Sequence, residues 1–424
     1  MLITEFRLDL VIQALRTILK MQHPADAELS HFFRDQRVGS GERALIAETV
    51  FGVLRHRAFL EHACTFLGTA ISKPTGRRLA LSYWVKFGGY NLRELAPLLR
   101  EGEEKWLSES KGIPLDSLPL ATQAELPEWV VEKLQAQRSD DEIRTLGQAM
   151  QNAATLDLRV NTLRAQREEL QQALAVEGVE ALATPYSPIC LRIKGKPALH
   201  RSPLFLTGRF EVQDEGSQLL GYLVAPKRND MVVDFCAGAG GKTLMLGALM
   251  NSQGRLYAWD VSEKRLANLK PRMARSGLSN VQPQLIAHEN DQKIKRLAGK
   301  IDRVLVDAPC SGLGTLRRNP DLKFRQSPQS VAELTVKQAS ILASASKLLK
   351  VGGRLVYATC SILFEENQGI VEQFLMQNPN FHLVPASEAL AQQKISLEMG
   401  DYFQLSPAVH ATDGFFAAVL ERTE

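Results

Sequence analysis

The chain is short of cysteine, and the few it has follow no pairing pattern. Cys64, Cys190, Cys236, Cys310 and Cys360 are the five in 424 residues, and no two stand in a Cys-x-x-Cys spacing. An odd count without that spacing argues against a disulfide scaffold and against a structural zinc site. Long apolar runs are missing too: none reaches the ~20 residues that span a bilayer. Glu5, Arg7 and Asp9 interrupt the start, where a secretory leader would carry its apolar stretch. These absences place the chain in the cytoplasm, with no membrane partner and no metal. Charge of one sign is also scarce. A net charge of +4 does not mark a nucleic-acid binder by itself, so basic character is sought in clusters such as residues 293–300 and 317–325. No internal repeat and no low-complexity stretch occurs.

What is present points to more than one domain, since a chain of this length ordinarily folds as two or three. Residues 1–145 carry helical periodicity and few strand signals. The stripes are Leu8, Val11, Ile12, Leu15, Ile18 and Leu19, then Leu45, Ile46, Val50, Val53 and Leu54, then Leu79, Leu81, Tyr83, Trp84 and Val85. Arg34, Arg37, Arg43, Arg55, His56 and Arg57 surround the second stripe. They read equally as a basic edge suited to RNA or as an ordinary charged surface. Residues 146–210 change character: strand-like 156–161 and 189–193 flank a helix over 164–175, and 195–201 reads as a loop. This predicts a small α/β subdomain. Over 211–424 strands and helices alternate. Strands end at Asp234 and Asp260, and others lie at 281–287, 303–307, 354–358 and 413–420. Ser262 caps one helix, in which Pro271 marks a kink. Ser327–Pro328 opens another, which Gly352–Gly353 is expected to stop. The alternation predicts a doubly wound, Rossmann-like α/β domain.

The most informative stretch is Val232-Val-Asp-Phe-Cys-Ala-Gly-Ala-Gly-Gly-Lys-Thr243: an apolar strand, a glycine-rich turn and a helix start. Parallel sheets bind ligands at such turns, outside the carboxyl ends of their strands. A dinucleotide fingerprint beginning at Gly238 and Gly240 fails where Thr243 replaces the third glycine. A P-loop fits Gly241-Lys242-Thr243 but would need its first glycine at Cys236. That near miss keeps an NTPase acting on RNA as the rival reading. The third candidate is S-adenosylmethionine.

The strand ends carry the chemistry. With strand order 3-2-1-4-5, the strands ending in Asp234-Phe-Cys236, Asp307-Ala-Pro-Cys310 and Thr359-Cys360-Ser361 lie side by side. Asp260, about twenty residues beyond the glycine turn, is placed either for ribose hydroxyls or to cap a helix.

Here a resemblance becomes specific. Asp307-Ala-Pro-Cys-Ser-Gly-Leu-Gly-Thr-Leu-Arg-Arg-Asn-Pro-Asp-Leu-Lys323 and Tyr357-Ala-Thr-Cys-Ser361 resemble the signatures of RNA cytosine carbon-5 methyltransferases of the NOL/NOP/Sun family. Cys236–Lys242 resembles that family's adenosylmethionine turn. Leu158-Arg-Val-Asn161, Gln213-Asp-Glu-Gly-Ser-Gln218, Glu366-Asn367 and Asp413-Gly-Phe-Phe416 complete the pattern. The helical start resembles the NusB-like RNA-binding domain of the bacterial RsmB type.

The resemblance implies methyl transfer to cytosine in RNA, ribosomal RNA first, through a covalent cysteine adduct. It assigns Cys360 as nucleophile, with Cys310 assisting release of the product and Asp307 meeting the base edge. It gives the cofactor Cys236, Ala237, Gly238, Ala239, Gly240, Gly241 and Lys242, then Asp260 and Asp307. His288 stands where the family's acid toward adenine is expected, with Glu289, Asn290 or Asp291 as replacements. Arg317, Arg318, Lys323 and Arg325 are the candidate contacts to RNA phosphates. A non-catalytic RNA-binding assembly factor is the remaining alternative.

Overall fold

The computed structural model describes residues 2–66 and 74–424. The chain divides into two compact units, one formed by residues up to 153 together with Thr315–Pro328, the other by Ala154–Gly314 and Gln329–Glu424. The sequence reading set three domains, with boundaries at 145 and 210; here the first unit runs to 153, the small α/β segment groups with the large one, and the fourteen residues Thr315–Pro328 group with the helices. Residues 67–73, inside the expected helical domain, lie outside the described residues.

The first unit is helical, with Glu5–Ile18, Ala25–Asp35, Ser40–Arg55, Arg57–Phe66, Gly76–Lys86, Glu103–Gly112, Glu128–Gln135 and Asp140–Gln151 as its longer helices. Leu8, Val11, Leu15 and Ile18 meet Ile46, Val50, Val53 and Trp84 in one core, because residues three and four apart share a helix face. The expected basic edge is largely spent on the unit's own packing. His56 stacks on Phe87 with ring centroids 3.8 Å apart. Its pKa falls to about 3, chiefly through burial and then through Lys323 and Arg55. Arg57 pairs with Glu61 at 2.6 Å and lies over the Phe324 ring.

The segment 315–328 is bound to this unit by buried polar groups. Lys323 Nζ donates to the carbonyls of Arg55, at 2.9 Å, and Glu125, at 2.8 Å. It also lies 3.6 Å from the Glu125 carboxylate. That carboxylate in turn accepts the N–H groups of Ala58 and Phe59, at the start of helix Arg57–Phe66. Burial pushes Glu125 up and Lys323 down, each opposed by the other's charge. Asp321 accepts from the Ala25 N–H.

The second unit holds two sheets. Strands β1 (Leu156–Val160), β2 (Ala181–Ala183), β3 (Cys190–Ile193) and β4 (Phe210–Val212) form a small antiparallel sheet in the order β2-β3-β1-β4. The larger sheet contains β5 (Met231–Asp234), β6 (Arg255–Asp260), β7 (Val281–Leu285), β8 (Ile301–Asp307), β9 (Leu349–Thr359), β10 (Phe381–Val384), β11 (Phe403–Leu405) and β12 (Phe415–Arg422). Its order is β10-β12-β9-β8-β5-β6-β7, with β11 pairing β12. The five strands from β7 to β9 are parallel, which matches the expected 3-2-1-4-5 arrangement, and β12 closes the sheet antiparallel.

Alternate residues of these strands enter opposite apolar layers. Val232 and Leu305 face one; Val233, Val304 and Val306 face the other. Ser262 caps its helix as expected, and Pro271 lies within that helix. Gly352 and Gly353 do not stop the preceding helix, which ends at Ser346. They lie inside β9, where the register against β8 shifts between Ile301 and Arg303.

Candidate active site

Three strand ends converge as their registers require. Asp234 stands beside Leu305 and Ala258, and Asp307 beside Ala358. Past these ends opens a cavity of about 530 Å³, lined among others by Cys236, Asp260, Glu289, Asp307, Cys310 and Cys360. That volume falls in the range of ~300–1,000 Å³ usual for small-molecule sites.

The glycine turn forms one wall. Gly238 has φ +57° with open space where a Cβ would stand, and its N–H donates to Asp260 Oδ2 at 2.8 Å. Gly240 does not line the cavity. Its φ of +85° and the methyl of Leu269, 2.1 Å from an added Cβ, make it a packing glycine instead. Two of the turn's carbonyls are held by arginines. Arg159, on β1, donates to Gly241 O, and Arg272 donates to Ala239 O at 2.7 Å. Arg272 is itself paired with Glu211 of β4. Of the turn's own N–H groups, those of Ala237 and Gly240 donate to Trp259 O and Ala237 O, both at 2.8 Å.

The residues fit an adenosylmethionine-sized cation. Asp260 is 3% exposed and also accepts from the Ser262 N–H at 2.7 Å, so its carboxylate is fixed with acceptor capacity to spare for ribose hydroxyls. Asp234, on which the sequence reading set no role, lines the same cavity. Its Oδ2 accepts from Thr243 Oγ at 2.7 Å, while its buried Oδ1 has no hydrogen-bond partner among the described residues. Burial pushes its pKa up to about 7 against that hydrogen bond. The signal was available: Asp234 closes an apolar strand just as Asp260 and Asp307 do.

Beyond β7 it is Glu289 that reaches the cavity. His288 is exposed and off the cavity, its Nδ1 accepting from the Asn290 N–H. Asp291 instead caps the short helix Gln292–Lys295. Glu289 lines the cavity, paired with Lys337 at 2.5 Å and accepting from Ser340 at 2.6 Å. Burial raises its pKa, but Lys337 and Ser340 outweigh that and hold it at about 2. The side chains of successive loop residues diverge, so an offset of one position was not readable from spacing.

The two motif cysteines meet. Cys310 Sγ and Cys360 Sγ are 3.4 Å apart. Their loops touch backbone to backbone: Gly314 N–H donates to Cys360 O, and Gly414 N–H to Gly314 O, both at 2.8 Å. A Cβ on Gly314 would lie 2.3 Å from Gly414 O, so glycine is required there. The Cys310 thiol is pushed well above its usual range, first by its hydrogen bond to Cys360 and then by burial. Lys242 Nζ lies 2.7 Å from Asp307 Oδ2, and that carboxylate outweighs burial to raise the lysine's pKa.

These contacts close the P-loop reading. The lysine is engaged by Asp307, the threonine hydroxyl is buried on Asp234, and Cys236 stands where the phosphate cradle needs glycine.

The four basic residues expected at RNA phosphates separate. Lys323 is 4% exposed and Arg317 5%, and both serve the interior of the helical unit. This corrects the expectation for Lys323, since a buried ammonium satisfied by carbonyls and a carboxylate presents no donor to a phosphate; Arg317 is buried with its Nη2 on Ala153 O at 3.4 Å. Arg325 is exposed and paired with Asp321 at 3.4 Å, and Arg318 is half-buried. Among the described residues no group of histidines, cysteines and acids is arranged to hold a metal ion, and no helix is long and apolar enough to cross a membrane.

Comparison with known proteins agrees with this architecture. A family model described as 16S rRNA methyltransferase RsmB/F matches residues 221–421, and a ferredoxin-like domain of RsmF/B-like methyltransferases matches 126–200. The "Probable ribosomal RNA small subunit methyltransferase B" of Synechocystis sp. (strain ATCC 27184 / PCC 6803 / Kazusa) is 30% identical, the match covering 98% of this chain and 99% of that protein. Among solved structures, that of PH0851 superposes with a TM-score of 0.78 at 26% identity, covering 99% of both chains. A methyltransferase homologue from Pyrococcus horikoshii gives 0.57 at 27% identity, covering 70% of this chain and all of that one. The paired cysteines, the glycine turn and these matches along the whole chain have one reading: the chain belongs to the RsmB/F branch of the NOL/NOP/Sun family, the adenosylmethionine-dependent ribosomal RNA methyltransferases.

Proposed function

We propose that the protein methylates carbon-5 of a cytosine in ribosomal RNA through a covalent adduct on Cys360. The observation that carries this reading is the pair of sulfurs, 3.4 Å apart, lining the same cavity as the glycine turn. Carbon-5 of cytosine is a weak nucleophile. A thiolate adding at carbon-6 turns it into an enamine-like carbon, and the bound cofactor supplies an electrophilic methyl group.

The family pattern assigns Cys360 as the attacking sulfur, and the raised pKa of Cys310, caused first by its hydrogen bond with Cys360 and then by burial, fits Cys310 as the partner that does not attack. Once Cys360 has bonded to the ring it is a neutral thioether. After methyl transfer Cys310, having given up its own proton to solvent, takes the carbon-5 proton; the carbon-5–carbon-6 double bond re-forms as the carbon-6–sulfur bond breaks, and Cys360 leaves as a thiolate. Asp307, held against Lys242, accepts a hydrogen bond from the base edge. Asp260 holds the cofactor's ribose and Glu289 its adenine amino group. The base must leave any stack to reach the sulfurs, so unpaired or locally opened RNA is the substrate.

Transfer of labelled methyl from adenosylmethionine to 16S ribosomal RNA, followed by bisulfite mapping, tests the reaction. Cys360→Ala is expected to abolish transfer. Cys310→Ala is expected to accumulate an enzyme–RNA adduct stable on denaturing gels. An active Cys360→Ala with no adduct in any form of the enzyme would defeat the assignment.

A further inference from the structure

Glu366 is fully buried and does not line the cavity. It ends the short turn Phe364–Glu366, which follows β9 and the Cys360 loop. Its Oε1 accepts from the Ser311 N–H at 2.8 Å and from Gln338 Nε2 at 3.0 Å. Its Oε2 accepts the Ser311 hydroxyl at 2.5 Å and the Ser361 hydroxyl. Ser311 follows Cys310 and Ser361 follows Cys360, so one carboxylate grips the residue after each sulfur. Gln338 extends the grip to the residue before Cys310, donating to Pro309 O at 2.9 Å.

The turn itself is anchored from the sheet. Tyr357 of β9 donates its hydroxyl to Glu366 O at 2.7 Å, and Asn367 Nδ2 donates to Ser361 O at 3.0 Å. An ionised carboxylate is acceptor-only and has lone pairs for four donors, which no neutral side chain offers. Burying one is costly unless every oxygen is satisfied, and here satisfaction is achieved between the two cysteine loops.

We infer that Glu366 is a positioning residue that locks the Cys310 and Cys360 loops into one rigid unit and sets the distance between their sulfurs. The inference rests on reading those cysteines as the reacting pair. It differs from a general role in stability, because it concerns the relative placement of two thiols rather than the fold around them.

The test compares Glu366→Ala, Glu366→Gln and the double variant Ser311→Ala/Ser361→Ala in the full chain. One readout is the rate at which diamide joins Cys310 to Cys360: two thiols lose their hydrogens to form a disulfide, and diamide is reduced to the hydrazide. The others are single-turnover methyl transfer, adenosylmethionine affinity by calorimetry, and the thermal melt. Because misplacement by about 1 Å can cost ~100-fold in rate, Glu366→Ala is expected to slow transfer by about that factor. Crosslinking should slow about tenfold, with cofactor affinity within about threefold of wild type and a cooperative melt. Glu366→Gln keeps one acceptor oxygen and should recover part of both rates. The double serine variant leaves the carboxylate its two amide donors and should also slow crosslinking.

Wild-type crosslinking and transfer in Glu366→Ala would overturn the proposal; should that variant not fold, the same result in the double serine variant would do so. A parallel loss of cofactor affinity with both rates would reduce Glu366 to a purely structural residue. Failure of the cysteine assignment looks different, since transfer would then survive in Cys360→Ala whatever the crosslinking rate.

Discussion

At the scale of single residues, the site depends on atoms that are absent as much as on those present. Gly314 lets the Cys310 loop touch the Cys360 loop through the backbone, and a methyl at 314 would lie 2.8 Å from Cys360 O and 2.3 Å from Gly414 O. Gly314→Ala must therefore push the Cys310 loop away from Cys360. Transfer is expected to fall about 100-fold through misplacement of the sulfur. Cofactor affinity should change little, since the turn that binds it is elsewhere on the sheet edge; rate measurements beside calorimetry check both. The sequence made Cys310, Cys360, Asp260 and Asp307 legible, because each follows or ends an apolar run and so must emerge at a strand end. It did not make Glu366 legible as a clamp. Its partners Ser311 and Gln338 lie 55 and 28 residues away, and hydrogen bonds at such separations leave no periodicity to read.

At the scale of elements, the small sheet does more than precede the catalytic one. Arg159 of β1 and Glu211 of β4, the latter through Arg272, hold the carbonyl side of the glycine turn. Arg159 is 3% exposed, and burial lowers its pKa to about 10, which still leaves it charged at neutral pH. Charge-assisted hydrogen bonds of this kind contribute about 1.5–3 kcal/mol each, so Arg159→Met is expected to weaken adenosylmethionine binding about tenfold or more. Titration calorimetry on the variant would measure it, and unchanged affinity would show that the turn holds its shape alone. The longer strands of the large sheet followed from the alternation of apolar runs, and the order of its five parallel strands from the doubly wound fold that the alternation implied. β2, β4 and β11 span three residues each, too few for alternation to register. β9 was foreseen from residue 354, because its first half passes through two glycines that read as a helix stop.

At the scale of the whole molecule, the helical unit is discontinuous in sequence. Lys323 looked like a phosphate contact because it follows a cysteine motif in a basic run. Its burial is decided by Glu125, almost 200 residues earlier, and by carbonyls no local pattern reveals. Removing one partner of a buried ion pair typically costs about 3–5 kcal/mol, and Lys323→Met should lower the stability of the helical unit by about the lower figure. The loss should depend on pH. Glu125 has a folded pKa raised above its unfolded value, so its favourable contribution is complete at low pH and disappears as pH rises through the folded pKa. Without Lys323 that folded pKa rises further. The variant is therefore expected to be more destabilised at pH 8 than at pH 6, as urea unfolding at the two values would show.

The same discontinuity sets an order of events on the ribosome. Glu125 leaves the exit tunnel long before Lys323 has been made, and 198 residues separate them. At ~5–20 residues added per second, that interval is roughly 10 to 40 s. Throughout it the nascent helices lack the cation that their buried carboxylate is built around. Completion of the amino-terminal unit therefore waits on translation of the catalytic motif, and the two halves of the enzyme mature together rather than in sequence.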